Sequence, residues 1–166
     1  MPLNYESSDK IELSSIVKIF KNTISIKSKS ETGEIAIINS TTFTKTGIDY
    51  KKLSFCSETN EKLSKYFLQD NDVLLLSSGP DNKVAIFKKQ KYPCVSEKSL
   101  FVLRPDEEKI NPNFLCAFLQ GSIGKSLLKN IQTGAALVTI NQKALGSIQI
   151  PSWSLKEQAE WLKANN

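Results

Sequence analysis

Histidine is absent from this 166-residue sequence, and arginine is nearly absent, since Arg104 is the only arginine among 22 Lys and Arg residues. Without histidine there is no His-dependent catalytic triad, no imidazole metal ligand and no imidazole proton shuttle. Lysine therefore supplies the positive charge, and lysine is a hydrated point charge suited to phosphate contact rather than to bidentate pairing. The net charge of +5 favours a small basic binding module over a self-sufficient enzyme.

Cysteines and long apolar runs are also scarce. The three cysteines, Cys56, Cys94 and Cys116, are an odd number and include no C-x-x-C pair. This argues against a disulfide scaffold or a zinc ribbon and favours buried free thiols in a reducing compartment. No apolar run approaches the roughly 20 residues that span a bilayer, and the first residues lack the layout of a signal peptide. We therefore expect a cytoplasmic protein with a length typical of one domain.

The apolar pattern changes from strand-like to helix-like after Pro105, which cannot continue a central strand. Strands are predicted over residues 11–27 (as one or two strands), 34–39, 52–55, 72–77, 83–88 and 99–103, and a short helix capped by Ser57 over residues 57–68. Beyond Pro105, Asn111 and Pro112 begin a helical pattern that continues over residues 123–131. A strand returns at 147–150, and Ser154 caps a C-terminal helix. This order predicts an α+β fold, with a twisted mixed or antiparallel sheet and packed helices.

Three segments resemble catalytic motifs but are incomplete. Residues 121–126 (GSIGKS) are similar to the end of a phosphate-binding P-loop, but Leu119 stands where the first glycine belongs and the preceding pattern is helical. Residues 111–114 (NPNF) lack the second proline of the Asn-Pro-Pro-aromatic motif of adenine methyltransferases. Residues 105–109 (PDEEK) place their carboxylates consecutively in one turn, whereas a metal-dependent nuclease takes them from separate strands. A nuclease or nucleotide-binding activity rests only on these fragments.

The lysines concentrate in three tracts that contain almost no acid. Residues 13–30 and 109–156 contain no Asp or Glu, and residues 82–98 contain only Glu97. Such tracts are typical of a surface that faces a polyanion, although a lysine-rich soluble protein shows similar tracts on its solvated surface. If the protein binds a polyanion, the three tracts should lie on one face.

Taken in order, several segments resemble the target recognition domain of the specificity subunit of a type I restriction-modification system. Residues 68–77 are similar to the pattern L-x-x-G-D-V-L-x-S, with one extra residue before the serine. Asn71 stands in the glycine position, where both residue types tolerate the left-handed conformation. Residues 148–158 match I-x-I-P-x-P-x-L-x-E-Q, with Trp153 in place of the second proline. The weaker matches are residues 34–39 followed by Gly47 and Ile48, residues 83–86, residues 111–115, and residues 133–136 followed by Ile140 and Leu145. The resemblance covers about residues 11–162.

The resemblance implies a non-catalytic subunit that binds one half of a split double-stranded DNA site. It implies no cofactor or metal. The partners that it implies are DNA, a methyltransferase (modification) subunit and a nuclease/translocase subunit. It divides the chain into a recognition domain over residues 1–153 and the start of a spacer or dimerisation helix over residues 154–166. That helix would lead to a second recognition domain or join a homodimer. The alternative is a protein-interaction module derived from a truncated recognition domain, with Leu155, Trp161 and Leu162 as an apolar docking face.

Polar side chains on four loops are the candidates for DNA contact, because base edges are recognised by such groups and phosphates by lysine. The candidates are Lys27, Ser28, Lys29 and Ser30 in a first loop, Thr41, Thr42, Thr44 and Lys45 in a second, Ser78, Asp81, Asn82 and Lys83 at a hairpin tip, and Gln132, Thr133, Thr139, Asn141, Gln142 and Lys143 around Gly134. Gly134 itself is expected to serve the backbone.

Overall fold

A computed structural model describes residues 3–26, 29–44, 46–56, 60–79 and 81–165. The strands are β1 (Lys10–Glu12), β2 (Val17–Phe20), β3 (Lys29–Ser30), β4 (Ile35–Ile38), β5 (Phe43–Thr44), β6 (Gly47–Ile48), β7 (Ser54–Cys56), β8 (Val73–Leu76), β9 (Val84–Ile86), β10 (Cys94–Ser96), β11 (Leu100–Pro105), β12 (Gln132–Thr133), β13 (Thr139–Ile140) and β14 (Gln149–Pro151). The α-helices are α1 (Asn60–Leu63), α2 (Pro112–Gln120), α3 (Ser122–Asn130), α4 (Gln142–Gly146) and α5 (Leu155–Ala164).

Two four-stranded sheets form the framework. The central sheet is antiparallel with the strand order β2-β11-β8-β9, and the second sheet has the order β10-β4-β7-β3. In the second sheet β10 is parallel to β4, whereas the other pairs are antiparallel. Two-stranded ladders join β1 to β14, β5 to β6 and β12 to β13. The predicted α+β class with mixed and antiparallel sheets is confirmed.

Both sheets are buried on their two faces, which explains their continuous apolar strands. In β8, Val73 and Leu75 pack with the helices, whereas Leu74 packs with the second sheet. In β4, Ile35 and Ile37 face away from the central sheet, whereas Ala36 and Ile38 face it. Because side chains alternate along a strand, four consecutive apolar residues fill two separate cores.

Local sequence signals set the helix boundaries. Asn111 caps α2 by accepting the backbone N–H of Asn113, and Pro112 occupies the first turn. Ser154 and Glu157 form a reciprocal capping box at the start of α5. Both predicted starts are confirmed. Among the described residues, no helix is long and apolar enough to cross a membrane.

Helix α5 packs against the core of the preceding residues rather than standing apart from it. The Trp161 ring lies 5.3 Å from that of Phe114, centroid to centroid, and Leu162 is half-buried against the same core. Of the predicted apolar docking face, only Leu155 is exposed, at 42%. The face is therefore largely used within the chain.

Other elements differ from the predictions. The helix expected over residues 57–68 is shorter, since α1 gives way to a 3₁₀ turn at Ser64–Tyr66, and the predicted cap at Ser57 lies outside the described residues. Helix α4 and the β12–β13 hairpin were not predicted, because each contains too few residues for a periodic signal. Asn71 has φ of +73°, as expected from its place in the glycine position.

Candidate nucleic-acid interface

Two hairpins that are distant in sequence meet at one side of the central sheet. The β8–β9 hairpin contributes its tip, and the β12–β13 hairpin lies beside it. The backbone N–H of Ile140 donates to the carbonyl of Ser77 at 2.8 Å, and that of Gly79 donates to Val138 at 2.8 Å. We call residues 77–79, 81–83 and 132–140 the paired-hairpin surface. It unites the third candidate loop with much of the fourth.

Side chains strengthen this junction. The Gln132 Nε2 group donates to Asn82 Oδ1 at 2.7 Å, and Asn82 Nδ2 donates to the Leu76 carbonyl at 3.0 Å. Asn82 is only 9% exposed. Ser78 and Thr139, by contrast, face each other across an isolated antiparallel bridge between the two hairpins and are half-buried. Asn82 and Gln132 therefore hold the two hairpins in register.

Glycine is required in the loop of the second hairpin. Gly134 has φ of +101°, and a Cβ atom there would lie 2.2 Å from the carbonyl oxygen of Leu137. Since both the conformation and the close approach exclude a side chain, the expectation that Gly134 serves the backbone is confirmed. The result is a tight loop over residues 134–138.

Lys21 approaches the paired-hairpin surface from β2. Its Nζ donates to Ser77 Oγ at 3.0 Å and lies 4.4 Å from the centroid of the Phe101 ring. Partial burial lowers the pKa of Lys21 below the usual lysine value. No ion pair joins Lys21 to a carboxylate in the part of the chain that the structure describes. Its charge therefore stays available to an external anion.

Two open grooves carry further lysines. One, of about 620 Å³, is lined by Thr44, Asp81, Lys83 and Lys125, among others. The other, of about 640 Å³, lies between β2 and α4 and has Lys18 and Lys143 among its lining residues. Each groove thus joins lysines from two of the three lysine-rich tracts. Thr44 also brings the second candidate loop to the first groove.

Only some lysines of each lysine-rich tract lie at the paired-hairpin surface or its two adjoining grooves. Lys29 forms an ion pair with Glu97 and lines a different cavity, beside Lys51 and Lys52. Lys109 pairs with Asp106 at 3.9 Å. The single face expected for all three tracts is therefore replaced by a surface to which each tract contributes individual lysines.

The remaining candidates occupy varied positions. Thr42 is 1% exposed and donates from its hydroxyl to the Asn39 carbonyl, whereas Thr41 is exposed. Asn141 caps α4 through its Oδ1 atom, and Gln142 donates from Nε2 to the carbonyl of Ile19 at 3.1 Å. The exposed members are Lys29, Ser30, Thr41, Thr44, Asp81, Lys83, Thr133, Asn141, Gln142 and Lys143. Lys27, Ser28 and Lys45 lie outside the described residues.

Sequence reasoning left several residues of the paired-hairpin surface and of the two adjoining grooves off the list of candidates. Lys18, Lys21 and Lys125 lie in the tracts, but no pattern distinguished them from the other lysines. Leu137, which is 68% exposed at the loop of the second hairpin, was not identified because an apolar residue carries no signal for a polar site.

Burial makes the thiols of Cys94 and Cys116 unreactive. All three are buried, and burial raises the pKa of Cys94 to about 12 and that of Cys116 to about 11. The Cys94 and Cys116 thiols are therefore protonated at neutral pH, so they are poor nucleophiles. Within the described ranges, no group of three or more His, Cys, Asp and Glu side chains has the geometry to hold a metal ion.

An α+β domain that gathers lysines, amides and hydroxyls on paired loops has features that are typical of nucleic-acid-binding domains. Comparison with known protein families identifies the family. The model of the type I restriction modification DNA specificity domain family matches residues 5–164. The chain belongs to this family, and the resemblance found in the sequence is confirmed.

Known relatives agree with this assignment. The chain is 28% identical over 157 residues to a Methanocaldococcus jannaschii protein described as the specificity subunit of the type I restriction enzyme MjaX, with 92% of this chain and 37% of the relative covered. It is similar in fold to the HsdS subunit from Thermoanaerobacter tengcongensis (TM-score 0.72, 17% identity, 99% of this chain and 37% of that one). It is also similar to the S subunit from M. genitalium (TM-score 0.63, 15% identity, 99% and 40%). The chain therefore spans less than half the length of these relatives.

Proposed function

We propose that this chain is a DNA target recognition domain that binds one half of a split double-stranded site and positions a methyltransferase subunit on it. The observation that carries the proposal is the match of residues 5–164 to the DNA specificity domain family. In this role the chain performs no chemistry itself. A methyltransferase subunit modifies adenine, and a nuclease/translocase subunit completes the assembly.

The paired-hairpin surface and the lysines beside it supply the proposed DNA contacts. Lys21, Lys83 and Lys143 neutralise phosphates, which gives affinity without sequence preference. Exposed hydroxyl and amide groups then contact base edges. Arg104 is not available for this purpose, because it is paired with Asp72 inside the protein. Recognition therefore depends on Ser, Thr, Asn, Gln and Lys side chains rather than on an arginine fork to guanine.

The candidates that suit this role best are exposed and adjoin the two grooves. They are Thr44, Asp81, Lys83, Asn141, Gln142 and Lys143. We add Thr133, which is exposed on the second hairpin, and Ser78 and Thr139, which are half-buried between the hairpins. We include Thr41 and Lys29 as peripheral contacts, with Lys27, Ser28 and Lys45 from the same two loops. Thr42 and Asn82 act indirectly, because their burial directs them to the backbone and to the neighbouring hairpin.

Helix α5 has a double role in this proposal. Its inner face packs on the recognition domain, which comprises residues 1–153. Residues 154–166 as a whole begin a spacer that leads to a second recognition domain or to the same helix of another copy. The use of Trp161 in the core gives no support to the alternative of an independent docking module.

Methylation mapping tests the proposal directly. Sequencing of modified bases in host DNA, with and without this gene, should show the loss of a two-part adenine methylation motif when the gene is removed. The purified chain should bind a duplex that contains the corresponding half-site more tightly than a scrambled duplex. An unchanged methylation pattern together with equal binding to both duplexes would overturn the proposal.

A further inference from the structure

The loop of the second hairpin presents three consecutive exposed apolar residues, Ala135, Ala136 and Leu137. Leu137 is 68% exposed, more than any other large apolar side chain in the described ranges; the next, Leu155, is 42% exposed. We call residues 135–137 the apolar tip. An isolated exposed leucine is ordinary on a protein surface, so the argument depends on how this tip is held and on what surrounds it.

The backbone of the tip is fixed from two sides. Gly134 allows the carbonyl oxygen of Leu137 to pack directly over it, at 2.2 Å from where a Cβ atom would stand. On the other side, the N–H of Gly79 donates to the carbonyl of Val138 at 2.8 Å. A fixed loop loses little conformational freedom when it binds, which makes its apolar contacts effective.

Lysines lie on the elements that adjoin the second hairpin. Lys21 lies at the base of the paired-hairpin surface, Lys83 lies on the neighbouring tip, and Lys143 follows β13. Asp81 is the one carboxylate within the described residues of 77–83 and 132–143. An apolar tip on a domain surface that also carries lysines complements a ligand whose outer edge is anionic and whose interior presents apolar groups.

Double-stranded DNA has this arrangement. Phosphates line the rims of the major groove, and the C5-methyl group of thymine projects from its floor. The groove is about 12 Å wide and admits a two-stranded β-ribbon such as the β12–β13 hairpin. An apolar pocket on a partner protein would fit Leu137 equally well, but it would not use the surrounding lysines.

We propose that Leu137 is a specificity-determining residue that contacts a thymine methyl group in the major groove, with Ala135 and Ala136 beside it. The inference rests on the proposed function and goes beyond it, because it names the side chain and the chemical group that it recognises. Polar loops then read hydrogen-bonding edges, while the apolar tip selects thymine.

Deoxyuridine substitution isolates the methyl group. Once the half-site is known, each thymine in the duplex is replaced in turn by deoxyuridine, and the dissociation constant of the full chain is measured. We expect one position at which loss of the methyl group weakens binding about fourfold, the factor that corresponds to burial of one such group. In Leu137→Ala the same replacement should have no effect, since the contact is already absent.

Controls distinguish the possible outcomes. Leu155→Ala, on the exposed side of α5, should retain the full effect of deoxyuridine, and the unfolding midpoints of both variants should match that of the wild type. If Leu137→Ala keeps the fourfold effect, or weakens only binding to the methyltransferase subunit, the inference is wrong while the proposed function stands. If the wild-type chain shows no preference for its half-site, the proposed function fails first.

Discussion

Arg104 joins two strands and a loop around a buried carboxylate. Its Nε donates to Asp72 Oδ1 at 2.9 Å, and its Nη2 donates to Asp72 Oδ2 at 2.8 Å and to the Phe67 carbonyl at 3.2 Å. Asp72 is 1% exposed and also accepts the backbone N–H of Gln69. Because a lysine cannot form this bidentate pair, the single arginine of the chain is used where geometry is most demanding, and lysines suffice elsewhere.

We expect Arg104→Met to lower the free energy of unfolding by about 3 kcal/mol, because it leaves the Asp72 carboxylate buried without its partner. Urea unfolding of the purified chain measures the loss. The double variant Arg104→Met, Asp72→Leu should recover most of it, since no charge then remains buried. A single variant as stable as the double variant would show that the pair contributes little.

Several residue-level features could be predicted from the sequence because their causes are local. Asn111 and Ser154 cap helices through bonds to residues two and three positions away, and the φ of Asn71 follows from the turn that it occupies. The partner of Arg104 could not be predicted, because Asp72 lies 32 residues away and several other carboxylates were equally plausible from sequence.

At the scale of elements, one glutamine fastens α5 to the start of α2. Gln158 is 2% exposed. Its Oε1 accepts the backbone N–H of Asn111 at 2.7 Å, and its Nε2 donates to the carbonyls of Lys109 and Trp153 at 3.0 and 2.9 Å. This geometry gives the glutamine of the L-x-E-Q segment a physical purpose, since it satisfies three backbone groups at the junction of the two helices.

Gln158→Leu should therefore destabilise the chain by about 2 kcal/mol, because buried backbone groups lose their hydrogen bonds. The expected observation is a lower urea midpoint, together with faster hydrogen exchange along α5. Glu160→Gln, two residues further along the same helix and exposed, serves as the control and should change stability by less than about 0.5 kcal/mol. Equal stability of the two variants would contradict this assignment.

The positions of the strands in the sequence were easier to predict than which elements lie beside one another in the fold. The apolar runs of β4 and β8 indicate burial on two faces, and the turn between β8 and β9 predicts their pairing. That this turn meets the β12–β13 hairpin depends on contacts such as the one between Asn82 and Gln132, 50 residues apart. The four candidate loops were therefore found in the sequence, but the surface formed by two of them was not.

At the scale of the whole molecule, binding to a polyanion depends on where the lysines without an acidic partner lie. Lys29 and Lys109 are in ion pairs, whereas Lys21 contacts only a hydroxyl and an aromatic ring. Net charge alone does not predict such differences, because pairing is decided by the fold. Binding to a polyanion should consequently depend on a few lysines rather than on the +5 total.

Lys21→Met tests this dependence, because methionine preserves the apolar stem over Phe101 and removes the charge. If Lys21 neutralises one phosphate, the variant should bind specific and scrambled duplexes more weakly by the same factor. The slope of log affinity against log salt concentration should also become shallower by about 1. Lys21→Arg should restore the slope, and Lys62→Met, at an exposed position on α1, should leave it unchanged. A Lys21→Met variant that keeps the wild-type slope would place the DNA backbone away from this end of β2, and the two lysine-bearing grooves would then have to account for the salt dependence.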